Sequence, residues 1–244
     1  MELWGTTNCG KVRRQNQDIF KILFDKERDV AVLVVCDGMG GANAGNIASS
    51  IAADTFMHSI GKHIDFLDSR KEISMRMSEA VTEANRNVYV KSMTSDELYG
   101  MGTTLAAAFS SDTGQVIVNV GDSRVYHITT SSITQVTKDH SIVEEMVTRG
   151  DLTRAEARRH PKKNLITRAL GATNYETPDV FYLNIKSGEF LLLCSDGLSN
   201  LVFESEILYE LQSCTTVRLS CENLVKMALE RGAPDNVTAV LFKK

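Results

Sequence analysis

The chain has 244 residues, 43% apolar and 24% charged, a balance that suits a soluble globular protein with a sizeable core. A net charge of −4 lacks the basic excess expected of a nucleic-acid binder. No apolar run reaches the roughly 18 residues that cross a bilayer, and the opening MELWGTTNCGKVRR lacks the charged-then-apolar order of a signal peptide. A cytoplasmic protein with no membrane insertion and no nucleic-acid partner is therefore expected.

In chain order, β-branched and apolar runs predict strands near 18–24 and 30–36. Helical spacing follows over about 42–60 and 71–92, the second placing Ile73, Met77, Ala80, Ala84 and Val88 on one face. Strands are expected next at 103–109, 115–120 and 124–129; GQVIVNVGDSRVYHI reads as two of them joined by a tight Gly-Asp turn into an antiparallel hairpin. Residues 138–165 are dense in charge and carry two short helical patterns broken at Gly150, with His160-Pro161 ending the second. This segment is either a solvated helical excursion or a mobile flap beside an active site. Strands near 179–185, 189–194 and 237–242, with helices near 204–213 and 218–231 between them, complete the chain. Only three prolines and no Pro/Gly/Ser-rich linker interrupt it, which predicts a single domain spanning 1–244. The order does not repeat βαβ, so a layered α+β fold is expected rather than a doubly wound parallel sheet.

Five cysteines (9, 36, 194, 214 and 221) are scattered, with no CxxC, which argues for a reducing compartment and against a zinc ribbon. Cys36 and Cys194 end apolar runs and read as core residues rather than nucleophiles. No two histidines are spaced i, i+4, so a helical zinc pair is not expected.

Four aspartates share one context. Asp37 follows AVLVVC, Asp122 follows VIVNVG, Asp196 follows FLLLCS, and Asp235 precedes NVTAVLF; Asp18 opens DIFKILF. One aspartate at a strand end is usually a turn-former whose side chain bonds nearby backbone. A set of them brought to one sheet edge would repel unless cations neutralised it. Oxygen-only ligands suit magnesium or manganese, and a paired site of such ions suits water activation and the clamping of phosphoryl oxygens. GKVRRQNQD adds Arg13 and Arg14 close to Asp18; a guanidinium fork matches phosphate, although the bland alternative is a solvated basic turn.

These segments together resemble the metal-dependent Ser/Thr protein phosphatases, the PPM or type 2C family, in their compact bacterial form. GKVRRQNQD, VCDGMGG, GMGTTLAAA, VGDSRVY, KDHS, HPKKNLITRALG, LCSDGL and PDNVTAV follow in the family's order and cover essentially the whole chain. The resemblance implies a four-layer α-β-β-α sandwich with two central antiparallel sheets. It implies Asp37 as a carboxylate bridging two ions, the Gly38 carbonyl on one, and Asp196 and Asp235 on the other. Asp18 matches a residue acting through metal-bound water, Asp122 with Asp196 a third and weaker site, and Asn164 a further ligand there. Arg13 aligns with the phosphate-binding arginine, whereas Arg14 does not. The ions implied are Mn2+ or Mg2+, two per site and a third in some members.

Two departures stand out. Gln17 replaces the glutamate many relatives carry before the first aspartate, which lowers the charge at that metal. Met39 stands where animal members have a histidine thought to protonate the leaving group, and a thioether transfers no proton. The implied reaction is hydrolysis of phosphoserine and phosphothreonine in proteins, a metal-bridging water attacking phosphorus in line while Arg13 holds the phosphate. For the leaving-group proton a metal-bound water is preferred, with His140 and His160 kept open. The implied partners are phosphorylated proteins, among them a bacterial Ser/Thr kinase that the enzyme opposes. No heptad or exposed apolar helix points beyond a monomer. A catalytically dead binding module is disfavoured because every matched metal carboxylate is present. A nucleotide transferase is disfavoured because GxxxxGK[ST] is absent.

Overall fold

Residues 1–40, 44–64, 69–213 and 215–244 are described by the computed structural model of the chain. Its first half runs β1 (Glu2–Asn8), β2 (Asp18–Asp25), β3 (Val30–Met39), α1 (Ala44–Gly61), α2 (Arg70–Ser92), β4 (Gly102–Thr103), β5 (Leu105–Ser111) and β6 (Gly114–Val120). The second half continues with β7 (Arg124–Ile128), β8 (Ile133–Gln135), α3 (Ile142–Arg149), α4 (Arg154–Arg159), β9 (Asp179–Leu183) and β10 (Phe190–Cys194). It closes with α5 (Asp196–Ser199), α6 (Glu204–Ser213), α7 (Val217–Glu230) and β11 (Val237–Lys243).

The central strands are apolar at nearly every position because both of their faces are buried. In β3, Val30, Val32, Val34 and Cys36 pack in the core under α1 and α2, while Ala31, Leu33 and Val35 point into the core between the sheets. β11 divides in the same way: Val240 and Phe242 face the inter-sheet core, and Val237, Ala239 and Leu241 face α6 and α7. One sheet has the order β2-β3-β5-β6-β9, with β4 attached to β3; the other has the order β1-β11-β10-β7-β8. All pairs are antiparallel. The result is the expected four layers. Unbroken apolar runs, more usual in parallel sheets, arise here because each antiparallel sheet carries helices on one side and a second sheet on the other.

One expectation fails. GQVIVNV and RVYHI do not form a hairpin: β6 pairs with β5 and β9, whereas β7 pairs with β10 and β8 in the opposite sheet. Gly121–Ser123 carry the chain from one sheet to the other. Gly121 has φ +104°, and a Cβ there would stand 2.6 Å from the Thr104 Cγ2. Local sequence cannot distinguish the two outcomes, since both strands are buried on both faces and each would suit either partner. The edge strands β1 and β8 were not among the expected strands; among the described residues they pair only with β11 and β7, and neither is buried on both faces, so ELWGTTN and ITQ carry little apolar signal. The start expected for the first helix, near 42, lies partly outside the described residues, as does Cys214.

Residues 138–165 do hold two short helices. α3 ends at Gly150 in the left-handed region (φ 83°), and α4 ends at His160, extended ahead of Pro161. The segment leaves and rejoins the body through a closed neck, where Ser141 bridges Ile166, the Ile142 amide donates to the Leu165 carbonyl and the Thr167 amide to the His140 carbonyl. Arg158 ties it to the body, donating to the Ser199 carbonyl at 2.9 Å and lying 4.8 Å over the Phe203 ring. Cys36 and Cys194 are buried core residues, the Cys194 thiol pushed up to about 12 by burial, which makes it inert as a nucleophile.

Candidate active site

The strand ends that carry aspartates converge where the two sheets meet. Asp18, first in β2, stands in register opposite Asp37 near the end of β3. From the other sheet, Asp196 follows β10 and Asp235 precedes β11, which pair side by side. Asp122 lies in the crossing between them. A single pocket of about 210 Å³ brings together Arg13, Asp37, Gly38, Asp122, Asn164, Asp196 and Asp235, with Gln17 and Met39 also on its wall. Asp18 lies behind it, 2% exposed. Arg14 is exposed and does not line the pocket.

Asp18, Asp37 and the Arg13 loop are held by groups that the sequence alone did not point to. Asp18 Oδ2 accepts from the Ser195 hydroxyl at 2.7 Å and the Thr238 hydroxyl at 2.6 Å, while its buried Oδ1 has no hydrogen-bond partner among the described residues. The backbone of Asp37 is clamped on both sides: its N–H donates to Thr104 Oγ1, and its carbonyl accepts from Thr103 Oγ1, each at 2.9 Å. Thr104 Oγ1 in turn lies 2.6 Å from Ser123 Oγ in the crossing. Gly38 has no room for a side chain, since a Cβ would fall 2.0 Å from the Gly45 carbonyl oxygen. Asn236, 3% exposed, pins the loop that bears Arg13: its amide donates to the Cys9 and Gln15 carbonyls at 2.9 and 3.0 Å, and its Oδ1 accepts from the Gln17 N–H at 2.8 Å. Arg13 Nη2 then reaches Asp235 Oδ2 at 2.7 Å. The common signal is a hydroxyl or amide one to three residues from each aspartate or strand end, in CSDG, GDSR, GTTL and DNVT. Buried polar side chains beside charged ones are rarely decorative.

The acids strain one another electrostatically. Burial first, and then the neighbouring carboxylates, raise Asp37 and Asp122 well above the ordinary carboxylate range. Asp18 is pushed up to about 6, chiefly by burial; Asp196 also rises to about 6, from burial and then from Asp235 and Asp18, with Arg124 pulling it partly back. Such a cluster asks for positive charge. Arg13 is the only cationic side chain among the described residues lining this pocket. Among the described residues, no three His, Cys, Asp or Glu side chains close on one point as a finished ligand cage; the oxygens are spread around the wall, with Asp235 turned onto Arg13. The donors are all oxygens, several repel one another, and one buried carboxylate oxygen is orphaned. That set fits hard divalent cations, with water completing the coordination.

Neither histidine considered as a proton donor reaches this wall. His140 is buried beside Gly121, and the ring of His160 accepts from the Lys162 N–H at 3.2 Å. A second cavity of about 440 Å³ lies between α3–α4 and α5–α6, sharing Asp122 and Asp196 with the first and lined also by Arg158, Lys163 and Phe203.

Two antiparallel sheets between helical layers set acids from both sheets and one arginine around a small pocket, an arrangement suited to hard cations and a phosphate. A family model described as protein phosphatase 2C matches residues 7–236, and the chain belongs to that family; it is a serine/threonine protein phosphatase of the 2C type. It is 34% identical to the serine/threonine phosphatase stp of Listeria monocytogenes serotype 4b over 238 residues, which is 98% of this chain and 94% of that protein. Among solved structures, the serine/threonine phosphatase Stp1 from Staphylococcus aureus superposes with a TM-score of 0.90 at 34% identity, covering 100% of this chain and 94% of that one. The catalytic domain of the phosphatase PstP, solved in complex with two manganese ions, has a TM-score of 0.84 at 32% identity over 98% of this chain and 96% of its own. Among the described residues, no helix is long and apolar enough to cross a membrane.

Proposed function

We propose that this chain removes phosphate from phosphoserine and phosphothreonine in proteins at the 210 Å³ pocket, with Asp37, the Gly38 carbonyl, Asp196 and Asp235 holding two divalent cations. The observation that carries the proposal is the gathering of acids from both sheets, four on the wall and Asp18 behind it, opposite one arginine. When bound, Mn2+ or Mg2+ would neutralise these acids, polarise the phosphoryl oxygens and lower the pKa of a nucleophilic water. The manganese-bound relative favours two ions of that kind. Asp122 with Asp196, and Asn164 more distantly, would hold a third.

The residues of the chain do the rest. Arg13 is half-exposed and, among the described residues, paired only with Asp235, so its guanidinium can turn from that carboxylate onto an incoming phosphate without leaving a buried charge unpaired. Asp18 is locked by Ser195 and Thr238 so that its free oxygen stays a fixed acceptor for water entering from the pocket. The Thr103–Thr104–Ser123 chain fixes Asp37 at the seam between the sheets. Met39 has no proton to give and no histidine is among the described lining residues, so the proton for the departing serine oxygen comes from solvent within the pocket. The adjoining 440 Å³ cavity would receive the peptide around the phosphorylated residue, under the flap formed by residues 138–165. The substrates would be phosphoproteins including a Ser/Thr kinase, met by a monomeric cytoplasmic enzyme of one domain.

Asp37→Asn and Asp196→Asn should each abolish manganese-dependent hydrolysis of p-nitrophenyl phosphate. Near-normal turnover in both purified, folded variants would sink the proposal.

A further inference from the structure

His140 is buried, yet no chemistry has claimed it. Its position is unusual in that it binds one residue twice. The Gly121 N–H donates to His140 Nδ1 at 3.0 Å, and the His140 N–H donates to the Gly121 carbonyl at 2.9 Å. A backbone amide carries a fixed proton, so Nδ1 is the acceptor and the proton of the neutral ring sits on Nε2. That nitrogen lies 3.2 Å from Asp179 Oδ2, which accepts its proton, and 2.9 Å from Arg168 Nη1, whose own proton goes to Asp179 Oδ1 at 2.7 Å, so ring and guanidinium share one carboxylate. Asn119 adds a second donor to the Gly121 carbonyl at 3.2 Å. The ring therefore has one orientation and one tautomer, and what it grips is the turn that crosses between the sheets immediately before Asp122.

We propose that His140 is a positioning residue for Asp122: its ring holds the Gly121–Asp122 crossing so that the Asp122 carboxylate faces the cation pocket. The inference rests on reading Asp122 as a cation ligand. Three features carry it. The crossing has no sheet partner of its own, since β6 ends before it and β7 begins after it. Gly121 adopts φ +104°, a conformation that a free turn would leave easily. Asp122 also lies among repelling carboxylates, which would push it off the wall if its backbone could move. His140 stands in the neck of the 142–165 excursion as well, where its carbonyl accepts from Thr167, so the same residue ties the root of the flap to the Asp122 turn.

The test is Mn2+ titration of the full chain by calorimetry, with melting curves as a check on folding. His140→Leu fills the space but removes the ring acceptor; His140→Asn keeps an acceptor oxygen near the Nδ1 position; the backbone bond survives in both. His140→Leu should weaken the weakest Mn2+-binding event about tenfold or more, the range seen when a partner of a metal ligand is lost. His140→Asn should recover most of that loss. Asp122→Ala should abolish the same event, and adding His140→Leu to it should change nothing further. If His140→Leu fails to fold, Asp179→Ala, which unloads Nε2 and leaves the Gly121 bond, should give a smaller loss at the same event. Wild-type Mn2+ affinity in every folded His140 and Asp179 variant, with the event still lost in Asp122→Ala, overturns the inference and leaves the reading of Asp122 standing. Retention of every binding event in Asp122→Ala overturns both.

Discussion

Two turns of this chain each set an aspartate between apolar strands and differ in what holds them. Between β2 and β3, Asp25 bonds its own neighbours: Oδ1 accepts from the Glu27 and Arg28 N–H groups at 3.0 and 3.2 Å, and the strands on either side pair with each other. Between β6 and β7, Gly121–Ser123 have one local partner, Asn119, and depend otherwise on distant ones, His140 and Thr104, while the flanking strands belong to different sheets. A turn that faces water can be self-sufficient, because solvent completes its hydrogen bonds. A turn at the seam of two sheets cannot, and its partners must come from elsewhere in the chain. The second kind is where the fold presents Asp122.

The sharpest way to break this contrast is to disturb the crossing itself. Gly121→Ala should destabilise the protein by about 3 kcal/mol, because the positive φ and the Thr104 contact both penalise a side chain, and should remove most phosphatase activity; urea unfolding with a parallel rate assay measures both. An unchanged midpoint would mean that the crossing tolerates movement.

A second effect follows from the acids that the seam gathers. Asp18 and Asp196 titrate near 6 in the folded protein against 3.8 for an ordinary aspartate. The folded, metal-free state then binds more protons than the unfolded one between about pH 4 and 6, so this contribution to stability is present at low pH and lost as pH rises through 6. In chelator, Asp196→Asn should match the wild type near pH 4 and melt at a higher temperature than it near pH 7, with Mn2+ reversing that order. A wild type that gains on the variant between pH 5 and 7 would contradict the account.

Asn236 offers a subtler probe. Asn236→Ala removes three bonds to the 9–17 loop, and Arg13 should lose its aim; turnover should fall roughly 10- to 100-fold, as small misplacements of a positioning group do. If kcat and KM both stay at wild-type values, Arg13 is held by something else. At the other extreme, Asp25→Ala at the self-sufficient turn should cost about 0.5–1 kcal/mol in urea unfolding and leave activity unchanged, since only local bonds are lost.

The same contrast separates what could be read in advance from what could not. The inner strands, the helix faces and the aspartates were legible because burial on two faces demands runs such as AVLVVC and FLLLC, and because a helix face packed on a core repeats with period 3.6; the edge strands β1 and β8 were not, being only half-buried. The partners of those aspartates were harder to see. Ser195, Thr238, Thr104 and Asn236 are ordinary polar residues whose importance depends on lying beside a buried carboxylate contributed by a distant strand. The expected hairpin at 114–129 failed for a related reason, since a Gly-Asp turn between two apolar strands serves equally for pairing within a sheet or passing between two.

By itself, then, the amino-acid order determined the buried elements and the family, through patterns that each segment carries locally, but not the edge strands β1 and β8. Tertiary structure alone decided which strands became neighbours, and with that which acids share a pocket and which hydroxyls hold them. The physical reason is that a strand's apolar pattern specifies that its faces are covered, not by what; the covering partner is chosen only when all the layers pack at once.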